Sequence, residues 1–302
     1  MYSLVKKPSP DMRTQWLPLL MLGVLACIWG SSFILMKRGL AQYNATQVAS
    51  LRLVFAGISL APLGWRRWSR IRPRDWRYLL AVALLGNGIP AFLFTTAQTQ
   101  LSSSLTGALN SLVPLFALLI GVVFFKTTTN RPQLWGVGLG LFGALVLILV
   151  GAGNRWTNPN AYALLVVLAT LCYATSATLI KMRLQAYPSL TITSASIPLL
   201  VLPAAGYLAW VQPLGVPESI SAWQALGAIF VLGFGGTALA LLLFYHLIAQ
   251  TSPLFATSVT YLMPIVALLW GWLDGELIAT EQLAGMSTIL LGVYMIHRGG
   301  KS

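Results

Sequence analysis

Acidic residues are scarce in this chain: six Asp and Glu stand among 302 residues, against 19 Lys and Arg. Charged residues of both signs make up only 8%, where a soluble globular domain carries about 25%. That shortfall excludes an ordinary soluble enzyme and a disordered chain, both of which need charge to stay solvated. Cysteine and histidine are equally sparse, at two each. Cys27 and Cys172 both fall inside apolar runs, so neither a disulfide framework nor a metal cluster is expected, and no cofactor is indicated. No H-E-x-x-H, no paired aspartates inside an apolar run and no Ser/His pair is present, which argues against an intramembrane enzyme.

What fills the space is apolar: 57% of residues are hydrophobic. A helix rises about 1.5 Å per residue and a hydrocarbon core is about 30 Å thick, so a spanning helix needs about 20 apolar residues. Ten such runs are readable, at 16–36, 47–65, 77–98, 104–125, 133–151, 160–180, 191–210, 223–248, 253–273 and 282–297. The last is short. The connections are brief, so function must lie among the helices. The fold class expected is an all-α polytopic membrane protein with ten transmembrane helices. The basic N-terminus before the first run resembles a signal peptide, but the run is long and further spans follow, so it reads as an uncleaved first helix.

The net charge of +13 takes its meaning from where the cations fall. With the N-terminus inside and the helices alternating, fifteen cations fall inside (Lys6, Lys7, Arg13, Arg66, Arg67, Arg70, Arg72, Arg74, Arg77, Lys126, Arg131, Lys181, Arg183, Arg298 and Lys301) and three outside (Lys37, Arg38 and Arg155). That bias predicts both termini in the cytoplasm, in the cell (inner) membrane. The dense Trp65–Arg77 stretch suits anionic headgroups and an interfacial tryptophan belt better than nucleic acid, so no nucleic-acid partner is expected. Asp274, Glu276 and Glu281 fall outside.

The two halves overlay. Leu112–Gly121 matches Leu262–Gly271 at an offset of 150, and Gln133-Leu134, Gly136 and Gly143 match Gln282-Leu283, Gly285 and Gly292 at 149. Ser32–Lys37 sits over Ser176–Lys181. Five helices per half is an odd number, so the halves enter the membrane from opposite sides. Two units are expected, 16–151 and 160–298, as inverted five-helix repeats. The equivalent positions Lys126 and Glu276 differ in sign and lie on opposite sides. Inverted repeats of this kind let one gate close as the other opens around a midplane site.

Trp29-Gly30-Ser31-Ser32-Phe33, Arg52 early in the second helix, Tyr261-Leu262-Met263-Pro264, Gly275-Glu276 and Gln282-Leu283-Ala284-Gly285 together resemble the EamA-type branch of the drug/metabolite transporter superfamily, over nearly the whole chain. The resemblance implies ten helices in two units and export of metabolites such as amino acids. It also implies a central cavity among helices 1–4 and 6–9, with 5 and 10 outside it. The chain departs from the pattern at Phe125-Lys126, where the first unit would carry Gly-Glu.

Candidate site residues follow. Arg52 lies inside a span, at an insertion cost of about 2.5–3.5 kcal/mol, so it either faces a cavity or snorkels to the headgroups. Glu276 or Asp274 is its expected partner, making an outer gate; the alternative is that Arg52 attracts a substrate carboxylate. Gly86-Asn87-Gly88-Ile89-Pro90 and Gly233-Phe234-Gly235-Gly236-Thr237 are expected to interrupt helices three and eight. They would leave Asn87 beside a wet cavity and make Gly88, Pro90, Gly235 and Gly236 hinges; close packing at small residues is the competing reading. Pro114 and Pro264 are expected to kink helices four and nine, with Asn110 and Thr260 one turn before each. Trp29, Tyr173, Tyr245, His246 and Tyr261 are candidate cavity walls, though each alone is more often packing or interfacial. The glycine run Gly136–Gly143 reads as a packing face, within the chain or between two copies, so monomer and homodimer stay open. The absence of a carboxylate in mid-span disfavours cationic drugs and favours a neutral or zwitterionic small-molecule substrate. Proton coupling through Glu276 or a tyrosine network stays open, as do drug, nucleotide-sugar or import roles. A channel or a membrane scaffold is the reading of another class.

Overall fold

Nothing in hydrocarbon can hydrogen-bond an exposed peptide group, so an apolar chain closes its backbone bonds within helices. In the computed structural model, which describes residues 12–126, 129–150, 161–211, 215, 217–251, 256 and 259–299, the described residues contain helix and no strand. The helices are α1 (Met12–Leu40), α2 (Ala45–Trp68), α3 (Pro73–Ala97), α4 (Ser103–Asn110 continued by Val113–Phe125) and α5 (Arg131–Val150). They continue with α6 (Ala161–Arg183), α7 (Ser189–Trp210), α8 (Ile220–Gly233, Phe234–Leu239 and Ala240–Gln250), α9 (Val259–Leu273) and α10 (Thr280–Gly299). Eight of them, α1 to α8, are long and apolar enough to cross a membrane. α9 has 15 described residues, because part of the run expected at 253–273 lies outside the described residues.

Helix starts are written locally. Asn44 caps α2: its Oδ1 accepts from Gln47 N at 2.9 Å, while the Gln47 side chain accepts from Asn44 N at 3.1 Å. Ser102 caps α4 and Ser219 caps α8 one way only, their hydroxyls accepting from Leu105 N and Ala222 N. Pro114 does not kink a continuous helix, as the sequence suggested. α4 stops at Asn110, turns through Ser111 and Leu112, and restarts with Pro114 in its first turn, where no N–H is required of it. Pro264 lies within α9.

Small residues set the packing. Gly57 of α2 lies so close to α7 that a Cβ there would meet the Val201 side chain. α5 crosses α10 through two glycine pairs. A Cβ at Gly136 would meet the Gly292 carbonyl at 2.5 Å, and one at Gly143 would meet the Gly285 carbonyl at 2.6 Å. The glycine face of α5 is therefore occupied by α10 of the same chain. Gly138 has nothing within 4 Å. The largest buried cluster runs from Leu25 on α1 through Leu109, Leu112 and Leu115 on α4 to Ile229 and Leu232 on α8.

Gly143→Leu should overpack the α5–α10 crossing and destabilise the protein by about 1–3 kcal/mol. Gly138→Leu should be nearly neutral. Thermal unfolding of both variants in detergent checks this; equal melting of the two would refute the packing role.

Candidate functional site

Helices three and eight are not interrupted, as the glycine-rich stretches suggested. Each widens instead into a π-turn, at Leu84–Gly88 in α3 and Phe234–Leu239 in α8. In α3 the cause is Pro90, which has no N–H to return to Gly86 and would crowd its carbonyl; Ile89 N bonds Leu84 O in the wider ring. In α8 the Ala240 N–H reaches back to Gly235, and the Gly236 carbonyl accepts the Trp29 indole N–H at 3.0 Å. Glycine makes both approaches feasible: a Cβ at Gly236 would meet Ser32 Oγ at 3.1 Å, and one at Gly86 would meet Ser176 Oγ at 2.7 Å.

Two aromatic groups lie on the helices that carry these turns and on their neighbours. Trp29 lies against Phe244 with ring centroids 5.3 Å apart, Phe33 against Phe94 at 6.1 Å, and Phe94 stacks on Tyr173 at 5.8 Å. Phe33 also lies over Gly107 of α4. The Arg52 guanidinium lies near enough to Tyr173 to act on its hydroxyl electrostatically. Among the described residues no carboxylate forms an ion pair with Arg52. At the break in α4, Asn110 Oδ1 and Ser111 Oγ are buried without a hydrogen-bond partner, and buried polar atoms seldom stay unpaired. A cation, an aromatic shelf and unpaired polar atoms thus lie on the facing helices α1, α2, α3, α4, α6 and α8.

A second polar group ties the helix ends. The Glu276 carboxylate accepts from Lys37 Nζ at 2.8 Å, from Ser103 N at 2.9 Å and Ser103 Oγ at 2.8 Å, and from Ser104 N and Oγ. Lys37 also meets Asp274 at 2.6 Å, and Arg38 pairs with Asp274. The Glu276 side chain is only 6% exposed. Burial by itself would raise its pKa. The Lys37 ammonium, the Ser104 hydroxyl and the N–H groups of Ser103 and Ser104 outweigh burial and hold it down at about 2, from an ordinary 4.5.

The expected Arg52–Glu276 pair is therefore not made: Glu276 is held by α1 and the start of α4, and no ion pair joins it to Arg52 among the described residues. The Tyr261 hydroxyl donates to Val293 O of α10 at 3.1 Å, so it ties α9 to α10. Asn87 sits half-buried in the α3 π-turn, and Thr260 is half-buried on α9. His246 is exposed, its Nε2 at 2.9 Å from Gln250. The Tyr245 side chain lies outside those described. Sequence reading missed Lys37, Ser103 and Ser104 as partners of Glu276. A signal existed, because Ser102-Ser103-Ser104 opens a helix and Lys37 was assigned to the same side as Glu276.

The EamA-like transporter family profile matches this chain twice, over residues 15–149 and 160–298. An uncharacterized inner membrane transporter of Escherichia coli K12, YedA, is 27% identical over 94% of this chain and 92% of its own. A Streptantibioticus cattleyicolor protein named "probable terminal-alkyne amino-acid exporter" is 27% identical over 89% of this chain and 90% of its own. The S-adenosylmethionine/S-adenosylhomocysteine transporter of Chlamydia muridarum is 27% identical over 90% of this chain and 89% of its own.

The depressed pKa of Glu276 carries a pH signature. Its stabilising contribution is fully present above its ordinary 4.5 and is lost as pH falls through about 2. Glu276→Gln should be less stable than wild type at neutral pH, and the gap should narrow across that window. Melting curves of both proteins in detergent over a pH series test it; a gap that stays constant would remove the charged tie.

Proposed function

The chain belongs to the EamA-like transporter family, and from that premise we propose that it is a secondary transporter exporting amino acids or related neutral or zwitterionic metabolites. It crosses the inner membrane ten times, with both termini in the cytoplasm, as two inverted five-helix units over 16–151 and 160–298. The charge bias of fifteen cations to three supports the orientation, and the inner membrane location of YedA supports the compartment.

Reciprocal contacts support the inversion. In a two-fold arrangement, a contact between one residue and the repeat mate of a second recurs with the roles exchanged. Gly136 meets Gly292 and Gly143 meets Gly285; Gly285 and Gly292 are the repeat mates of Gly136 and Gly143. Ser32 meets Gly236, and Ser176 meets Gly86. Carried on, the same alignments set Tyr43 over Tyr187 and Arg72 over Ala222. Tyr43 donates to Ala222 O at 3.3 Å, while the Tyr187 hydroxyl accepts from Arg72 N at 3.1 Å.

The observation that carries the substrate class is Arg52. It is a cation inside a span, against Tyr173 and the aromatic shelf, and no carboxylate pairs with it among the described residues. A substrate carboxylate would supply the missing charge through paired N–H donors. Both cargoes named for the relatives, an amino acid and S-adenosylmethionine, carry an α-amino carboxylate. Trp29, Asn87, Asn110, Tyr173, Tyr245, Thr260 and Tyr261 are the proposed lining of the substrate cavity. The α4 break before Pro114 and the π-turns with Gly88, Pro90, Gly235 and Gly236 are the points at which α3, α4 and α8 bend during the cycle. Pro264 serves α9 in the same way.

Counterflow of labelled amino acids in proteoliposomes, with and without a pH gradient, tests this reading and its proton coupling. Wild type should exchange a carboxylate-bearing substrate. Arg52→Ala should lose at least tenfold, the loss of one charge-assisted pair of roughly 1.5–3 kcal/mol, and Arg52→Lys should retain part. Exchange of nucleotide sugars or lipophilic cations alone, or normal exchange by Arg52→Ala, would defeat it.

A further inference from the structure

Among the described residues the ion cluster at Lys37 has no equivalent at the opposite end. By the repeat alignment Lys37 corresponds to Lys181 and Glu276 to Lys126. One end therefore sets an ammonium against a carboxylate, and the other sets two ammonium groups on equivalent positions. At the first end a single buried carboxylate holds α1 through Lys37, α4 through Ser103 and Ser104, and the strand of chain after α9. Glycines let these elements close up: a Cβ at Gly30 of α1 would meet the Met263 carbonyl of α9 at 2.9 Å, and one at Gly271 would strike Ser104. At the second end Lys126 and Lys181 are both exposed. Of the six acidic residues, Asp75 is on that side among the described ones, and it is already bound by the Tyr187 hydroxyl at 2.7 Å.

We propose that Glu276 is the latch that holds the Lys37 end shut, and that the sign reversal at Lys126 leaves the opposite end unlatched, so the protein rests open toward the Lys126 end. Equivalent helices can swap roles only when the two closed states have similar free energies. Here the closed state of one end gains charge-assisted bonds to a carboxylate that is itself largely shielded from water, while the closed state of the other brings like charges together. With the orientation proposed above, the resting opening faces the cytoplasm, as an exporter that loads there requires. The inference rests on the transporter reading but not on the identity of the cargo.

Pairwise spin-label distances in nanodiscs test it without a substrate. Cys27 and Cys172 are replaced, and labels are placed at Gln42 and Leu277 for the Lys37 end, and at Gln185 and Thr129 for the other. Wild type should give a narrow distribution at the Lys37 end and a broad, longer one at the Lys126 end. Glu276→Gln should lengthen and broaden the first. Lys126→Glu, at an exposed position that does not threaten folding, should form a pair with Lys181 and shorten the second; adding Lys181→Glu should undo that. Unchanged distances in a folded Glu276→Gln protein, or no shortening in Lys126→Glu, would overturn the latch. Intact distance responses with no amino-acid counterflow would sustain the latch and count against the cargo alone.

Discussion

The constraint on which this structure depends is that peptide groups in hydrocarbon must find partners inside the chain. It turns the apolar runs into helix wherever the chain is described, and it makes each departure from the regular pattern informative. Pro90 withholds an N–H, and α3 answers with a wider turn. Gly236 keeps a carbonyl free in the widened turn of α8, and Trp29 of another helix supplies the donor. Asn110 and Ser111 flank the break in α4 with buried polar atoms that nothing in the described chain satisfies. The irregular places are thus of two kinds, those whose polar groups the protein pairs itself and those whose groups stay unpaired among the described residues.

Charge follows the same economy. With so few carboxylates, each one that is buried has a distinct duty. Glu276 collects five donors from two helices at one end of the bundle, while Asp75 secures a loop at the other through Tyr187. The centre keeps a cation, Arg52, and no acid to neutralise it among the described residues. In the transport reading proposed above, ends that can be tied and untied flank a middle that stays receptive to an anion.

Much of the scaffold was legible in the sequence. Length and apolarity placed the runs that fold as α1 to α8, and the spacing of Gly136 and Gly143 announced a packing face. The glycine clusters in α3 and α8 marked the right positions but suggested the wrong geometry, because a one-dimensional pattern does not distinguish an unwound break from a wider turn. Pro114 was read as a kink for a similar reason: a proline in mid-run and a proline in the first turn of a new helix look alike until the preceding turn is seen. The pairing of Arg52 with Glu276 failed because opposite charges on one side of a membrane limit the choices without selecting among them.

By itself, the sequence determined the class of protein and the duplication of its halves, and set the expectation for the side on which its cations gather, because these depend on composition and period, which survive without contacts. Only the tertiary structure decided that Lys37 rather than Arg52 holds Glu276, that α10 rather than a second copy covers Gly136 and Gly143 of α5, and that Trp29 reaches the turn in α8. Each of those is a choice among partners far apart in the chain, and such choices are made by helix packing at close range.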